Sequence, residues 1–175
     1  MLTPEQQKWI DHLRDDDHIV MKPYDPSCVA KFDRIKARII TTLGNQVRVE
    51  HRGATGLGIS GQDEIDVYIP VPPEKFDQLL TPLENAFGKP RSVYPLERAR
   101  FVTEEGEKHI DIFLINDTHS GWLDGIKFED YLINHPEALE EYRKLKEAGN
   151  GLSTREYYRR KIEFINDILV RAMNK

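Results

Sequence analysis

Hydrophobic positions along this chain recur in two rhythms, and the switches between them divide it into elements. Thr3-Pro4-Glu5-Gln6 reads as a helix start, with Thr as N-cap, Pro at the first helical position and Gln three residues after the Thr. Trp9, Ile10 and Leu13 give that helix an apolar face, and Asp15-Asp16-Asp17 ends it in a solvated acidic loop. Ile19-Val20-Met21 predicts a short strand. The turn Tyr24-Asp25-Pro26-Ser27 leads into a second helix with Val29, Phe32, Ile35, Ile39 and Leu43 at helical spacing, closed by Gly44.

The rhythm then shortens. Val47 and Val49 predict a strand that runs into the glycine-rich segment Gly53-Ala54-Thr55-Gly56-Leu57-Gly58. In the next strand Ile65, Val67 and Ile69 alternate with Glu64, Asp66 and Tyr68, so the two sets point to opposite faces. Pro70, Pro72 and Pro73 stop it. Phe76, Leu79, Leu80, Leu83 and Phe87 mark a helix ending at Gly88. Arg98 to Thr103 and Lys108 to Ile115 predict an antiparallel hairpin around Glu104-Glu105-Gly106-Glu107. Within it Ile110, Ile112 and Leu114 share one face, and His109, Asp111 and Phe113 the other. The last third is helical: Phe128, Tyr131 and Leu132, an interruption at Pro136, then Leu139, Tyr142 and Leu145. After the Asn150-Gly151 turn, Ser153 caps a final helix carrying Tyr158, Ile162, Ile165, Leu169 and Ala172. Strands first and helices last predict an α+β fold: a short mixed β-sheet backed by helices, with a helical C-terminal part from about residue 122, in a single domain 1–175.

Composition narrows the classes of function. With 39% hydrophobic and 31% charged residues the chain is globular, not disordered. A net charge of −5 with both signs interspersed argues against broad nucleic-acid binding and against an anionic membrane partner, and leaves room for a local basic groove. Cys28 is the single cysteine, which excludes an intramolecular disulfide and a cysteine-rich zinc site; it reads as a small helix residue. No secretory signal or apolar spanning run is evident, so a cytoplasmic location is the default expectation.

The chemistry concentrates on one face of two strands. Glu64 and Asp66 point the same way from one strand, and Asp111 points away from its apolar partners on another. Carboxylates on inner strands are costly unless a cation pairs with them. Hard oxygen ligands two apart on one strand, with a third from a neighbour, suit magnesium or manganese; neighbouring Arg or Lys is the other solution. Upstream, Gly53 permits close backbone approach to a phosphate and Thr55 offers a hydroxyl. Arg98 and Arg100 share a strand face and are candidates to clamp phosphates, with surface ion pairs to Glu97 or Glu107 as the alternative. His51 and His109 are proton shuttles or hydrogen-bonded structural residues. Lys127, Arg155, Arg159, Arg160 and Lys161 form either a solvated helix face or a groove wall.

Gly53-Ala54, nine residues, then Glu64-Ile65-Asp66-Val67 resembles the nucleotidyltransferase signature, and His109-Ile110-Asp111-Ile112 resembles its third-acid strand. A resemblance to the GrpB-type family covers most of the chain. It rests on Tyr24-Asp25-Pro26-Ser27, Val49-Glu50-His51-Arg52-Gly53-Ala54-Thr55, Lys127-Phe128-Glu129-Asp130-Tyr131-Leu132 with His135-Pro136-Glu137, Glu141-Tyr142-Arg143-Lys144-Leu145-Lys146, and Tyr158, Lys161 and Phe164-Ile165. That family is assigned to the nucleotidyltransferase fold, and some members are fused to dephospho-coenzyme A kinase. The chain departs from it at Ala54, where Ser is usual, and at His109-Ile110-Asp111, where His-x-His is frequent. One gap would align Asp66 and Tyr68 with the acidic pair, and Asp63 is a further candidate, so the register stays open.

The resemblance implies the nucleotidyltransferase fold, and with the reading of the residues it leads to the expectation of a metal-dependent nucleotidyltransferase that passes a nucleoside monophosphate from a nucleoside triphosphate to an acceptor. Glu64, Asp66 and Asp111 would be its catalytic residues and hold Mg2+ or Mn2+; Gly53, Ala54, Thr55, Arg98 and Arg100 would bind the nucleotide. The alternative is a non-catalytic nucleotide- or cofactor-binding module on the same fold.

Overall fold

The computed structural model describes residues 1–173. The described residues form two compact units: one made of residues 1–23, 60–62 and 124–173, the other of residues 24–59 and 63–123. The second unit carries the sheet. Its elements are helix α2 (Cys28–Leu43), strand β1 (Glu50–Arg52), the helical turn α3 (Gly53–Gly56), β2 (Glu64–Val71), α4 (Pro73–Phe87), β3 (Ser92–Tyr94), β4 (Arg98–Glu105) and β5 (Lys108–Asn116). The first unit holds α1 (Pro4–Asp11), α6 (Pro136–Ala148) and α7 (Thr154–Met173), and the boundary falls within α5 (Ser120–Asn134). The architecture is α+β with a five-stranded mixed sheet backed by helices.

Strand order is β1-β2-β5-β4-β3, with β2 and β5 parallel at the centre and the other pairings antiparallel. One face is apolar: Ile65, Val67, Ile69, Ile110, Ile112, Leu114, Ala99 and Phe101 pack with Phe32, Ile35 and Ile39 of α2 and Phe76, Leu83 and Phe87 of α4. Burying such side chains stabilises by about 1.5–3 kcal/mol each, which anchors the two central strands firmly. Their opposite faces are therefore held in fixed register: Asp66 lies directly beside Asp111, Tyr68 beside Phe113 and Glu64 beside His109.

Local detail departs from the hydrophobic pattern in four places. The buried stripe of α2 is Cys28, Phe32, Ile35 and Ile39, while Val29 is 49% exposed; the 4-3-4 spacing admits the cysteine and turns the valine outward. The ladder of β1 begins after Val49 and consists of Glu50, His51 and Arg52, paired with Tyr68, Val67 and Asp66. Ile19-Val20-Met21 forms no strand; isolated bridges flank it, His18 to Ser153 and Lys22 to Gly61. Finally, β3 is a three-residue edge strand with two exposed residues, too short to show alternation.

The helical unit follows its sequence signals. Thr3 and Gln6 form the reciprocal capping box of α1, at 3.2 and 2.9 Å. Ser153 Oγ accepts from the Glu156 amide at 3.2 Å at the start of α7. The aromatic residues Phe128, Tyr142 and Phe164 meet with centroids 5.2, 5.4 and 6.4 Å apart. The basic side chains of α7 have partners close by: Arg155 donates to the Leu13 carbonyl and pairs with Asp15, Arg159 and Arg160 pair with Glu156, and Lys161 sits over Tyr158.

Candidate metal and nucleotide site

The polar face of the sheet unit gathers the charges. Glu64, Asp66 and Asp111 each present a carboxylate oxygen, and the three oxygens lie within 4.8 Å of one another. The parallel register produces this: Asp66 and Asp111 are lateral neighbours, and Glu64 stands two residues before Asp66 on the same face. The separation fits three ligands of one hard cation, since metal–oxygen bonds of about 2.0–2.6 Å place donor oxygens at most about 5 Å apart across the ion. Asp63 is directed elsewhere. It sits at φ 69°, pairs with Lys108, and shares that buried ammonium with Asp25 at 3.1 Å. Asp25 also accepts from the Ser27 hydroxyl and amide at 2.8 and 2.9 Å. The Ser27 hydroxyl, the Ser27 amide and then Lys108 hold the Asp25 carboxyl down at about 2. Tyr68, the other candidate for an acid position, stacks on Phe113 and Trp122 with centroids at 4.7 and 5.5 Å. On geometry the acidic group is thus Glu64, Asp66 and Asp111.

Gly53 lies against this group. Its φ of 71° is a left-handed conformation that favours glycine, and a Cβ there would overlap the Asp66 carboxylate. The glycine brings the α3 turn up to the acids. Thr55 is buried, and its hydroxyl has partners within the protein. It donates to the Glu64 carbonyl at 3.2 Å and lies 3.0 Å from His51 Nε2. A hydroxyl has one hydrogen to give, so the neutral imidazole carries its proton on Nε2 and donates to Thr55. Burial holds the His51 imidazole below its ordinary range, with Asp33 pulling the other way, and Phe32 stacks on the ring at 4.6 Å. His51 and Thr55 therefore brace the start of β2.

The two arginines of β4 rest against protein groups. Arg100 makes a two-pronged ion pair with Asp111, Nε to Oδ1 and Nη2 to Oδ2, both 2.9 Å. The Arg100 side chain is 35% exposed and that of Asp111 5%. Burial works against the guanidinium charge, but the Asp111 hydrogen bonds and the fields of Asp111, Glu64 and Asp66 outweigh it and raise the Arg100 pKa. His109 Nε2 reaches the same Asp111 oxygen at 3.2 Å. Arg98, two residues earlier on β4, rests over Tyr94 and Phe113 at 5.2 and 5.8 Å, and its Nε is buried without a hydrogen-bond partner.

Arg52 and Trp122 also belong to this face, and Arg52 entered the sequence reading only as part of the motif at residues 49–55, with no role given to it. It is the register partner of Asp66, pairs with Glu50 at 2.9 Å and lies 5.0 Å from the Trp122 ring centre. Its position just before the glycine turn was the available signal. Trp122 is buried, whereas Trp9 is 47% exposed and touches Tyr158 edge-on.

No helix among the described residues is long and apolar enough to cross a membrane. No curated protein matches the chain. Among solved structures, the conserved protein GrpB from Enterococcus faecalis superposes with a TM-score of 0.68, covering 89% of this chain and 98% of that one at 21% identity, which is a likeness of fold. The GrpB protein family model matches residues 18–171. The chain belongs to the GrpB family, within the nucleotidyltransferase-like superfamily.

Proposed function

We propose that this protein is a metal-dependent nucleotidyltransferase. The observation that carries the proposal is the convergence of Glu64, Asp66 and Asp111 within 4.8 Å on the polar face of a sheet of this fold. These carboxylates would hold Mg2+ or Mn2+, which when bound supplies positive charge for the triphosphate and the departing pyrophosphate. Gly53 and Ala54 would let the backbone approach the phosphates, with His51 and Thr55 fixing the strand start behind them. An acceptor hydroxyl would lose its proton to a carboxylate, for which Asp111 with adjacent His109 is the candidate. The acceptor oxygen would then bond to the α-phosphorus as the bond to the bridging oxygen breaks and pyrophosphate leaves.

A second reading has its own support. Asp111 is already paired with Arg100, and Ala54 replaces a hydroxyl residue in the glycine turn. Both suit a module that binds a nucleotide or cofactor without turning it over. A panel of nucleoside triphosphates with Mg2+ or Mn2+, read first by thermal shift and then by pyrophosphate release, separates the two. Stabilisation with release supports transfer, stabilisation alone supports the binding module, and neither with any nucleotide rejects both.

A further inference from the structure

Arg100 occupies a place that the proposed function does not use. Its two prongs take both oxygens of Asp111, one of the three proposed ligands, and its charge also acts on Glu64 and Asp66. A guanidinium so placed competes with a divalent ion twice: it covers donor oxygens and it repels the ion. Asp111 is nearly enclosed, whereas the Arg100 side chain is 35% exposed, so the arginine is the member of the pair with open space to turn into. Its strand neighbour Arg98 rests over Tyr94 and Phe113, and Arg52 is enclosed between Glu50 and the Trp122 ring, so Arg100 is the most exposed guanidinium at the acids.

Resting on the proposed metal–nucleotide site, we infer that Arg100 is an internal counter-ion that couples metal binding to phosphate binding. Without ligand it neutralises the carboxylates. When a polyphosphate arrives with its metal, the guanidinium exchanges Asp111 for phosphate oxygens, which match its fork equally well. The site then favours metal and polyphosphate together over metal alone, so an empty site does not fill with free divalent ion.

The test uses the full chain and measures protein-bound Mn2+ by equilibrium dialysis, with Mn2+ supplied alone or as its preformed complex with inorganic tripolyphosphate. The wild type binds Mn2+ weakly alone and more tightly with tripolyphosphate. Arg100→Gln binds Mn2+ alone at least about tenfold more tightly, the Coulomb effect of removing a unit charge about 6 Å from a divalent ion in water, and gains less from tripolyphosphate. Arg100→Lys, which keeps the charge and loses the fork, falls between them and serves if the glutamine variant does not fold. Wild-type binding with tripolyphosphate, but unchanged or weaker Mn2+ affinity in both variants, overturns the counter-ion inference alone. Absence of Mn2+ binding in every protein, with or without tripolyphosphate, overturns the site itself and this inference with it.

Discussion

The acids of this site differ in their surroundings, so replacing them one at a time moves stability in opposite directions. Consider Asp66→Asn and Asp111→Asn in chelator, where no divalent ion is present. Asp66 faces two other carboxylates within 4.8 Å. At an effective dielectric near 20, each such contact costs about 3 kcal/mol. Arg100 and Arg52, the register partner of Asp66 on β1, cancel most of this, which leaves a net relief of about 1 kcal/mol in Asp66→Asn. For a domain of this size that raises the melting temperature by about 2–4 °C. Asp111→Asn relieves the same repulsion and breaks the two-pronged pair with Arg100. One partner is enclosed and the other partly exposed, so the loss lies between the roughly 0–1 kcal/mol of a surface pair and the 3–5 kcal/mol of a broken buried one. The net effect is a fall of about 1–3 kcal/mol. Calorimetric melts in EDTA measure both. A lower melting temperature for Asp66→Asn would show Asp66 to be a structural partner, not a repelled ligand, and a higher one for Asp111→Asn would deny the Arg100 pair any net worth. In both variants the stabilisation expected from Mn2+ with a nucleoside triphosphate disappears, because that gain depends on binding to the native state.

Gly53→Ala forces a side chain into a left-handed position against Asp66; it costs about 1–3 kcal/mol in thermal melts and weakens Mn2+ binding with nucleotide, and an unaltered melt contradicts the close approach. Thr55→Val removes the hydroxyl between His51 and the Glu64 carbonyl and lowers stability by about 1–3 kcal/mol in urea titrations, whereas Thr55→Ser restores most of it. His51 has a depressed pKa in the folded protein, so its contribution to stability is full above the unfolded value of about 6.5 and is lost as pH falls through the lower folded value. His51→Gln, which can still donate to Thr55, flattens the melting temperature through that window. Asp25, held at about 2, titrates well below it.

What the sequence made legible follows from burial. The alternation of Ile65, Val67 and Ile69 with Glu64, Asp66 and Tyr68, and of Ile110, Ile112 and Leu114 with His109, Asp111 and Phe113, fixes which way each acid points. Once the strands lie side by side, convergence needs only the right register. The GrpB motifs are legible for a related reason: Asp25 and Ser27 form the turn into α2, where Asp25 engages Lys108, and Phe128 with Tyr142 sits among the aromatics of the helical unit. Where pattern ran out, polar contacts decided. Strand β1 carries no apolar alternation because it is held by its ladder to β2. Asp63 pairs with Lys108, 45 residues away, a contact no local spacing announces. The partners of Arg100 and Thr55 were equally out of sight. Both side chains suit phosphate by type, and only the fold shows that Asp111 and the Glu64 carbonyl already use them.

The central claim is that Glu64, Asp66 and Asp111 together hold a divalent ion beside a nucleotide. Crystals of the full chain grown with Mn2+ and a non-hydrolysable nucleoside triphosphate, measured at a wavelength where manganese scatters anomalously, test it most directly. The proposed site predicts an anomalous peak about 2.0–2.6 Å from an oxygen of each of the three carboxylates, with the triphosphate beside the Gly53 turn. Nucleotide bound elsewhere, or bound there with no peak among the three acids and Arg100 still on Asp111, would contradict it.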